Sequence, residues 1–114
     1  MITIYHNPRC TKSREGLCEI ENLNQPFEIR KYLDEPFTKL ELEDIIKKLN
    51  IKPIELIRTK ESIWIENYKG KDLNDEETIQ AMVDNPILIE RPIVIKDGKA
   101  IIGRDLELVA SFLD

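Results

Sequence analysis

The chain has 114 residues, of which 41% are hydrophobic and 34% charged, proportions typical of one globular domain that spans residues 1–114. Its formal net charge of −5 argues against nucleic acid as a partner, because a phosphate backbone is bound through clustered positive charge. No apolar run is long enough for a membrane span, and the first residues read as a strand rather than a signal peptide, so we expect a cytoplasmic protein.

The first third of the chain predicts a βαβ unit. Residues 2–5 have the composition of a buried strand, and residues 11–23 carry apolar side chains at helical spacing before a breaker-rich stretch. Residues 27–32 then alternate apolar and polar, which is the period of a half-buried strand. Two strands joined through a helix are expected to be parallel, with a right-handed crossover.

The middle of the chain predicts an insertion made of helices. Thr38 and Glu41 have the spacing of a capping box, and apolar residues follow at helical spacing as far as Asn50. Asn74 with Glu77 marks another helix start of the same kind. Two shorter helices are predicted between these two, at residues 53–57 and 62–68.

The last quarter of the chain predicts a hairpin followed by a helix. Asp97-Gly98 is a two-residue turn signal between the apolar runs 92–96 and 99–102. A final helix carries apolar side chains on one face up to Leu113. The order β-α-β, helical insertion, β-β-α predicts an α/β protein of thioredoxin-like fold with a mixed four-stranded sheet.

Cys10 is the residue whose position is most informative about chemistry. It lies where the first strand gives way, through a short loop, to the first helix. The N–H groups and dipole at a helix start stabilise a thiolate over a thiol, and Arg9, Lys12 and Arg14 add positive charge nearby. Since the thiolate is the reactive form of cysteine, this setting predicts a nucleophile.

The second cysteine is a poor disulfide partner for the first. If the intervening residues are helical, the Cα atoms of Cys10 and Cys18 are separated by about 12 Å at 1.5 Å per residue. A disulfide tolerates a Cα separation of about 7 Å at most. A disulfide on Cys10 is therefore expected to involve a thiol from another molecule, and Cys18 is interpreted as a packing residue.

The chain resembles the glutaredoxin-linked arsenate reductase (ArsC) family, in particular its shorter members without an extended C-terminal tail. The resemblance runs along essentially the whole chain and depends on several short pieces occurring in order. Those pieces are His6-Asn7-Pro8-x-Cys10 with Ser13-Arg14, Leu56-Ile57-Arg58, Asn85-Pro86-Ile87-Leu88-Ile89-x-Arg91-Pro92-Ile93-Val94, and Gly103-Arg104.

The resemblance implies that Cys10 is the nucleophile and that Arg58, Arg91 and Arg104 bind the oxyanion substrate. Guanidinium groups suit that role, because they hold tetrahedral oxyanions bidentately and keep their charge. The resemblance also implies a cis peptide bond before Pro92. Arsenate would be reduced to arsenite through a Cys10 adduct, with glutathione as co-substrate and glutaredoxin restoring the thiol.

His6 and Ser13 are predicted to support Cys10. An imidazolium or N–H donor at His6, four residues before the cysteine, would favour the thiolate, and Ser13 would offer a hydroxyl donor. No group of residues has metal-ligand spacing, so neither a metal nor any other bound cofactor is expected. We also expect a monomer with no nucleic-acid or membrane partner.

Two other functions remain open from the sequence. The first is an RNA-polymerase-binding regulator of the Spx kind, which shares the fold and typically carries a Cys-x-x-Cys switch. Ser13 stands at the fourth position of that motif here, and Arg58 and Arg104 have no general equivalents in those regulators. The other function is a general glutathione-dependent thiol oxidoreductase.

Overall fold

Residues 1–103 and 106–113 are described by a computed structural model, and they divide into two units. The first unit contains residues 1–35 and the chain from residue 91 onward, and the second contains residues 36–90. The second unit is therefore an insertion in the sequence of the first, at the place where the sequence predicts one.

The first unit is built on a mixed four-stranded sheet, as predicted. The strands are β1 (Ile2–Tyr5), β2 (Phe27–Arg30), β3 (Ile93–Lys96) and β4 (Lys99–Ile102). Their order in the sheet is β2-β1-β3-β4; β1 pairs parallel with β2 and antiparallel with β3, and β3 pairs antiparallel with β4.

Two helices of the first unit contribute to its core, namely α1 (Thr11–Glu21) and α5 (Leu106–Leu113). Alternation along β1 turns Ile2 and Ile4 to the same face, and both are buried there. The core cluster also contains Ile20, Val94, Val109 and Leu113, with Leu17, Leu23, Phe27, Ile101 and Phe112 packed against it.

Strand β3 begins at Ile93, one residue after the predicted start, and two other boundaries in the first unit also fall short of the predicted ones. Helix α1 ends at Glu21 rather than at residue 23, because the backbone turns at Asn22 and Asn24 adopts a left-handed conformation with φ of 55°. Strand β2 ends at Arg30 rather than at residue 32. There the backbone N–H groups of residues 34 and 35 both donate to the carbonyl of Lys31 and so form a tight turn.

The hairpin between β3 and β4 has the predicted two-residue turn. Asp97 and Gly98 both have positive φ, 53° and 76°. This is the type I′ geometry whose twist matches that of the flanking strands.

The second unit contains the predicted helices α2 (Lys39–Leu49), α3 (Ser62–Asn67) and α4 (Asp75–Asp84). Both predicted capping boxes form: Thr38 with Glu41 begins α2, and Asn74 with Glu77 begins α4. Helix α3 ends one residue earlier than predicted. The short helix predicted at residues 53–57 forms as a 3-10 helix at Pro53–Leu56, and a second 3-10 helix, not predicted, lies at Pro86–Leu88.

The two 3-10 helices lead into a pair of short extended segments. Ile57 and Ile89 form an isolated antiparallel bridge there, and both side chains are buried. The other buried apolar residues of the unit include Leu42, Ile45, Ile46, Leu56, Trp64, Ile79, Met82 and Leu88. Within residues 1–103 and 106–113, no helix is long and apolar enough to cross a bilayer.

Candidate active site

Cys10 is the N-cap residue of α1. Its backbone is extended, with φ of −99° and ψ of 124°, and its carbonyl accepts the N–H of Arg14 at 3.0 Å, the first hydrogen bond of the helix. Its side chain forms no capping hydrogen bond, and the residue is half-buried. The thiol therefore lies at the positive end of the helix dipole, as the sequence predicts.

Asn7 organises the loop that leads to this cysteine. The residue is buried, with 2% of its surface exposed. Its carbonyl accepts the N–H of Cys10 at 3.0 Å, and its side-chain Oδ1 accepts the N–H of Arg9, also at 3.0 Å. Asn7 is not among the site residues predicted from the sequence. Its position directly before Pro8 is a local signal for this role, because an Asn side chain in such a loop commonly accepts a hydrogen bond from the backbone two residues on.

Ser13 connects the loop to the first turn of α1. Its Oγ accepts the backbone N–H of Asn7 at 2.9 Å and lies 2.7 Å from Nδ1 of His6. Both His6 and Ser13 are buried, at 4% and 0% exposure. The structure therefore brings the two predicted supporting residues together, directly beside the loop that carries Cys10.

The surroundings of His6 favour its neutral form. Burial lowers the pKa of the imidazole below its ordinary value, and the positive charges of Lys31 and Arg14 lower it further. The charge of Glu21 and a hydrogen bond with the backbone of Ser13 oppose this shift only in part. Of the two roles predicted for His6, a neutral imidazole therefore argues against the imidazolium and is compatible with the N–H donor.

Arg14 braces the exposed side of the loop. Its Nη1 donates to the carbonyl of Pro8 at 2.8 Å, and its Nη2 donates to Oγ1 of Thr11 at 3.2 Å. These bonds hold a positive charge across the segment that contains Cys10. The same charge acts on His6, where it lowers the pKa of the imidazole.

Pro92 is enclosed by two glycines. The Arg91–Pro92 peptide bond is cis, which is the configuration that the family resemblance implies. A Cβ atom added to Gly16 of α1 or to Gly103 would lie 2.9 Å from Cγ of Pro92, closer than such atoms approach. The N–H of Gly103 also donates to the carbonyl of Pro92 at 2.7 Å. Packing of the proline ring thus requires glycine at both positions.

The three arginines predicted to bind substrate have different surroundings. Arg91 is half-buried in the first unit, directly before the cis-proline. Arg58 belongs to the second unit, where its Nη1 donates to Oε1 of Glu61 at 2.8 Å and its Nε lies 3.7 Å from Oε1 of Glu90. The predicted role of Arg104 falls outside the described residues.

Cys18 lies within α1 and is exposed, and both cysteines are free thiols. The helix begins at Thr11, so the residues between the two cysteines are helical and hold their Cα atoms too far apart for a disulfide. The interpretation of Cys18 as buried filler is wrong, because it faces solvent. Across the described ranges, no three His, Cys, Asp or Glu residues are placed to hold a metal ion.

The sheet order, the N-terminal cysteine loop and the cis-proline define a thioredoxin-like protein. Among solved structures, the fold is similar to that of a putative arsenate reductase from Yersinia pestis, with a TM-score of 0.90 and 42% identity. That alignment covers 97% of this chain and 99% of the other. An arsenate reductase from Vibrio cholerae matches with a TM-score of 0.90 and 38% identity over 96% of this chain and 95% of its own.

The chain belongs to the ArsC family, whose model matches residues 5–112. It is 46% identical to the uncharacterized protein YfgD of Escherichia coli (strain K12), over 95% of this chain and 92% of that protein. It is also 43% identical to an arsenate reductase of Haemophilus influenzae, over 98% of each chain.

Proposed function

We propose that this protein is an arsenate reductase in which Cys10 is the nucleophile. The observation that carries the proposal is the position of Cys10 at the N-cap of α1, with no capping hydrogen bond to its side chain, in a chain that belongs to the ArsC family. Relatives that are 35% and 43% identical to this chain are named arsenate reductases.

The proposed reaction begins when the Cys10 thiolate attacks arsenate and displaces one oxygen, which leaves as water after protonation. Glutathione then attacks the arsenic of this adduct, and a second oxygen leaves as water, so that arsenic carries the sulfur atoms of both Cys10 and glutathione. Arsenate becomes arsenite by gaining two electrons, and these come from two thiols that end as a disulfide. Glutaredoxin takes up the glutathione in that disulfide and returns Cys10 to the thiol.

The use of an outside thiol is supported by the placement of the two cysteines. Cys18 lies two turns into α1 from the N-cap, and a disulfide cannot span that length of helix. Ser13 occupies the position of the second cysteine in a Cys-x-x-Cys motif, and its buried hydroxyl is engaged with His6 and Asn7. Cys10 therefore has no internal thiol to resolve it among these residues, and glutathione is the proposed partner.

Arsenate itself would be bound by guanidinium groups. We assign this role to Arg58, Arg91 and Arg104, because their planar donors match the oxygens of a tetrahedral anion and remain charged throughout the reaction. Asn7, His6 and Ser13 keep the loop in shape around the thiol. In this proposal His6 acts as a neutral hydrogen-bonding residue.

The direct test is to incubate the purified protein with arsenate, glutathione and glutaredoxin and to measure arsenite. Arms that omit one component at a time show which reductants are needed. Cys10→Ser should abolish arsenite formation, whereas Cys18→Ser should retain most of it. Arsenite formation by the Cys10→Ser protein would refute the assignment of the nucleophile.

The same experiment separates the proposal from the other enzymatic alternative. A general glutathione-dependent thiol oxidoreductase would form a mixed disulfide at Cys10 and reduce a disulfide substrate, yet would leave arsenate unchanged. Mass spectrometry of the protein after exposure to oxidised glutathione detects that mixed disulfide. If arsenate turnover requires glutathione but not glutaredoxin, the protein is still an arsenate reductase, and only the role of glutaredoxin in restoring Cys10 is refuted.

A further inference from the structure

The guanidinium group of Arg58 lies between two carboxylates of the second unit. Its Nη1 donates to Oε1 of Glu61 at 2.8 Å, and its Nε is 3.7 Å from Oε1 of Glu90. The three side chains are 31%, 25% and 19% exposed. Ion pairs that are partly shielded from water in this way restrain a side chain more than pairs on an open surface do.

The backbone fixes where both carboxylates lie. The N–H of Arg58 donates to the carbonyl of Leu88 at 2.7 Å, and the N–H of Glu90 donates to the carbonyl of Leu56 at 2.8 Å. These bonds flank the isolated bridge described above, and they place Glu90 diagonally across from Arg58, within reach of a long side chain. The N–H of Glu61 donates to the carbonyl of Arg58 at 3.1 Å. This turn brings the Glu61 carboxylate close to the Arg58 guanidinium.

The two carboxylates occupy only part of the guanidinium. Nη1 donates to a carboxylate oxygen and Nε lies within ion-pair distance of another, whereas Nη2 forms no hydrogen bond with any residue in 1–103 or 106–113. A guanidinium is planar, so contacts at two of its nitrogens determine the direction of the third. The direction of Nη2 of Arg58 is thus restrained by the neighbouring carboxylates.

We propose that Glu61 and Glu90 are positioning residues that orient Arg58 so that Nη2 is presented to the oxyanion. The proposal rests on the proposed function, in which Arg58 binds arsenate. A free arginine side chain loses rotamer entropy when it is fixed, and the carboxylates restrict its rotamers before the substrate arrives. Neither glutamate touches the substrate in this proposal.

The carboxylates could instead compete with the oxyanion for Arg58, and neutralising one of them would then lower the KM for arsenate. One guanidinium between two carboxylates has a combined formal charge of −1, so a carboxylate that merely competed with the oxyanion would weaken binding. The two roles predict changes of opposite sign in the KM for arsenate when a carboxylate is neutralised. The anchoring of two separate nitrogens, with a third left open, favours the positioning role.

The first measurement needs no substrate. Relaxation of the side-chain Nε of Arg58, measured by NMR in the full-length protein, should show an ordered group in the wild type. In Glu61→Gln and in Glu90→Gln its order parameter should fall to below about 0.6, the range of flexible groups. Glu66→Gln, an exposed change in the same helix as Ser62, should leave it unaltered.

The second measurement is the steady-state kinetics of arsenate reduction. Glu61→Gln should raise the KM for arsenate by up to about tenfold, the effect of a lost charge-assisted hydrogen bond, with a smaller change in kcat. Glu90→Gln should raise the KM less, because its 3.7 Å contact with Nε is an ion pair without a hydrogen bond. In an Arg58→Ala background, the same substitutions should not change the KM further, because the guanidinium that they position is absent. A general disturbance of the second unit would add to the effect of Arg58→Ala.

The outcomes are distinct. An Arg58 side chain that stays ordered in both variants, or a KM that falls in either, overturns the positioning role. If the wild type reduces no arsenate, the proposed function fails, and the relaxation measurement still decides whether Glu61 and Glu90 orient Arg58.

Discussion

The Oγ atom of Ser13 lies 2.7 Å from Nδ1 of His6, and neither residue is accessible to solvent beyond 4%. A hydroxyl has one proton, so Ser13 donates it either to a neutral His6 or to another acceptor, but not to both. Because the pKa of His6 is lowered by burial, the neutral imidazole is the favoured form, and with its proton on Nε2 it is the acceptor of the Ser13 proton. This pair therefore links the protonation of one residue to the hydrogen bonding of the active-site loop.

Stability should decrease on acidification because of His6. Its pKa is lowered in the folded protein, so below the ordinary value of 6.5 the unfolded chain binds the proton more readily than the folded one. The contribution of His6 is therefore fully present above about pH 6.5 and is lost as the pH falls through the folded-state pKa. Urea unfolding of the wild type and of His6→Gln at several pH values from neutral to acidic measures this directly.

The expected result is that the difference in free energy of unfolding between the wild type and His6→Gln shrinks at low pH. His6 is the only histidine of the chain, so no other imidazole contributes to the difference. A difference that is constant with pH would show that His6 titrates equally in both states.

Ser13→Ala should destabilise the protein. The change leaves the buried N–H of Asn7 and Nδ1 of His6 without the oxygen that they contact, and an unsatisfied buried polar group costs about 1–3 kcal/mol. Denaturant unfolding gives the magnitude. Ser111→Ala, an exposed change in α5, serves as the control and should alter stability far less; equal effects of the two changes would argue against the Ser13 network.

Gly16→Ala should destabilise the protein although alanine is the better helix former. In an unconstrained helix the change would stabilise by about 1 kcal/mol. Here the added Cβ would lie 2.9 Å from Cγ of Pro92, and a proline ring cannot rotate away, so we expect a loss of about 1–3 kcal/mol.

The measurement for Gly16→Ala is the midpoint of urea unfolding. Glu15→Ala, an exposed change at the preceding position of the same helix, is the control for an alanine substitution that does not contact Pro92. A Gly16→Ala protein more stable than the wild type would mean that Pro92 moves aside at little cost.

Arg58→Ala and Arg104→Ala should each impair arsenate turnover. Each change removes a charge-assisted interaction with the oxyanion, so kcat/KM is expected to fall by about 10- to 100-fold. Arg30→Ala is the control, since Arg30 donates through its Nε to the carbonyl of Glu35 and has no assigned role in binding. Unchanged kinetics in a folded Arg58→Ala or Arg104→Ala protein would refute the assignment of these arginines.

Much of the candidate site was predictable because it depends on residues that are close in the sequence. The thiol at the start of α1 and the hydroxyl of Ser13 lie within one loop and one helical turn, where backbone geometry alone fixes the neighbours. The role of Asn7 was missed, although the three hydrogen bonds that it makes are equally local. The exposure of Cys18 was misjudged, because helical spacing gives the face of a residue only relative to the others.

The sequence by itself determined the order of the elements, both capping boxes and the Asp97-Gly98 turn, because each depends on backbone and side-chain preferences within a few residues. Only the tertiary structure decided which distant residues meet. Glycine at position 16 is required by a proline ring far along the chain, and the guanidinium of Arg58 is held by Glu90 through a bridge between two segments. Periodicity and turn signals carry no record of such contacts, since packing between distant segments is fixed only when the chain folds.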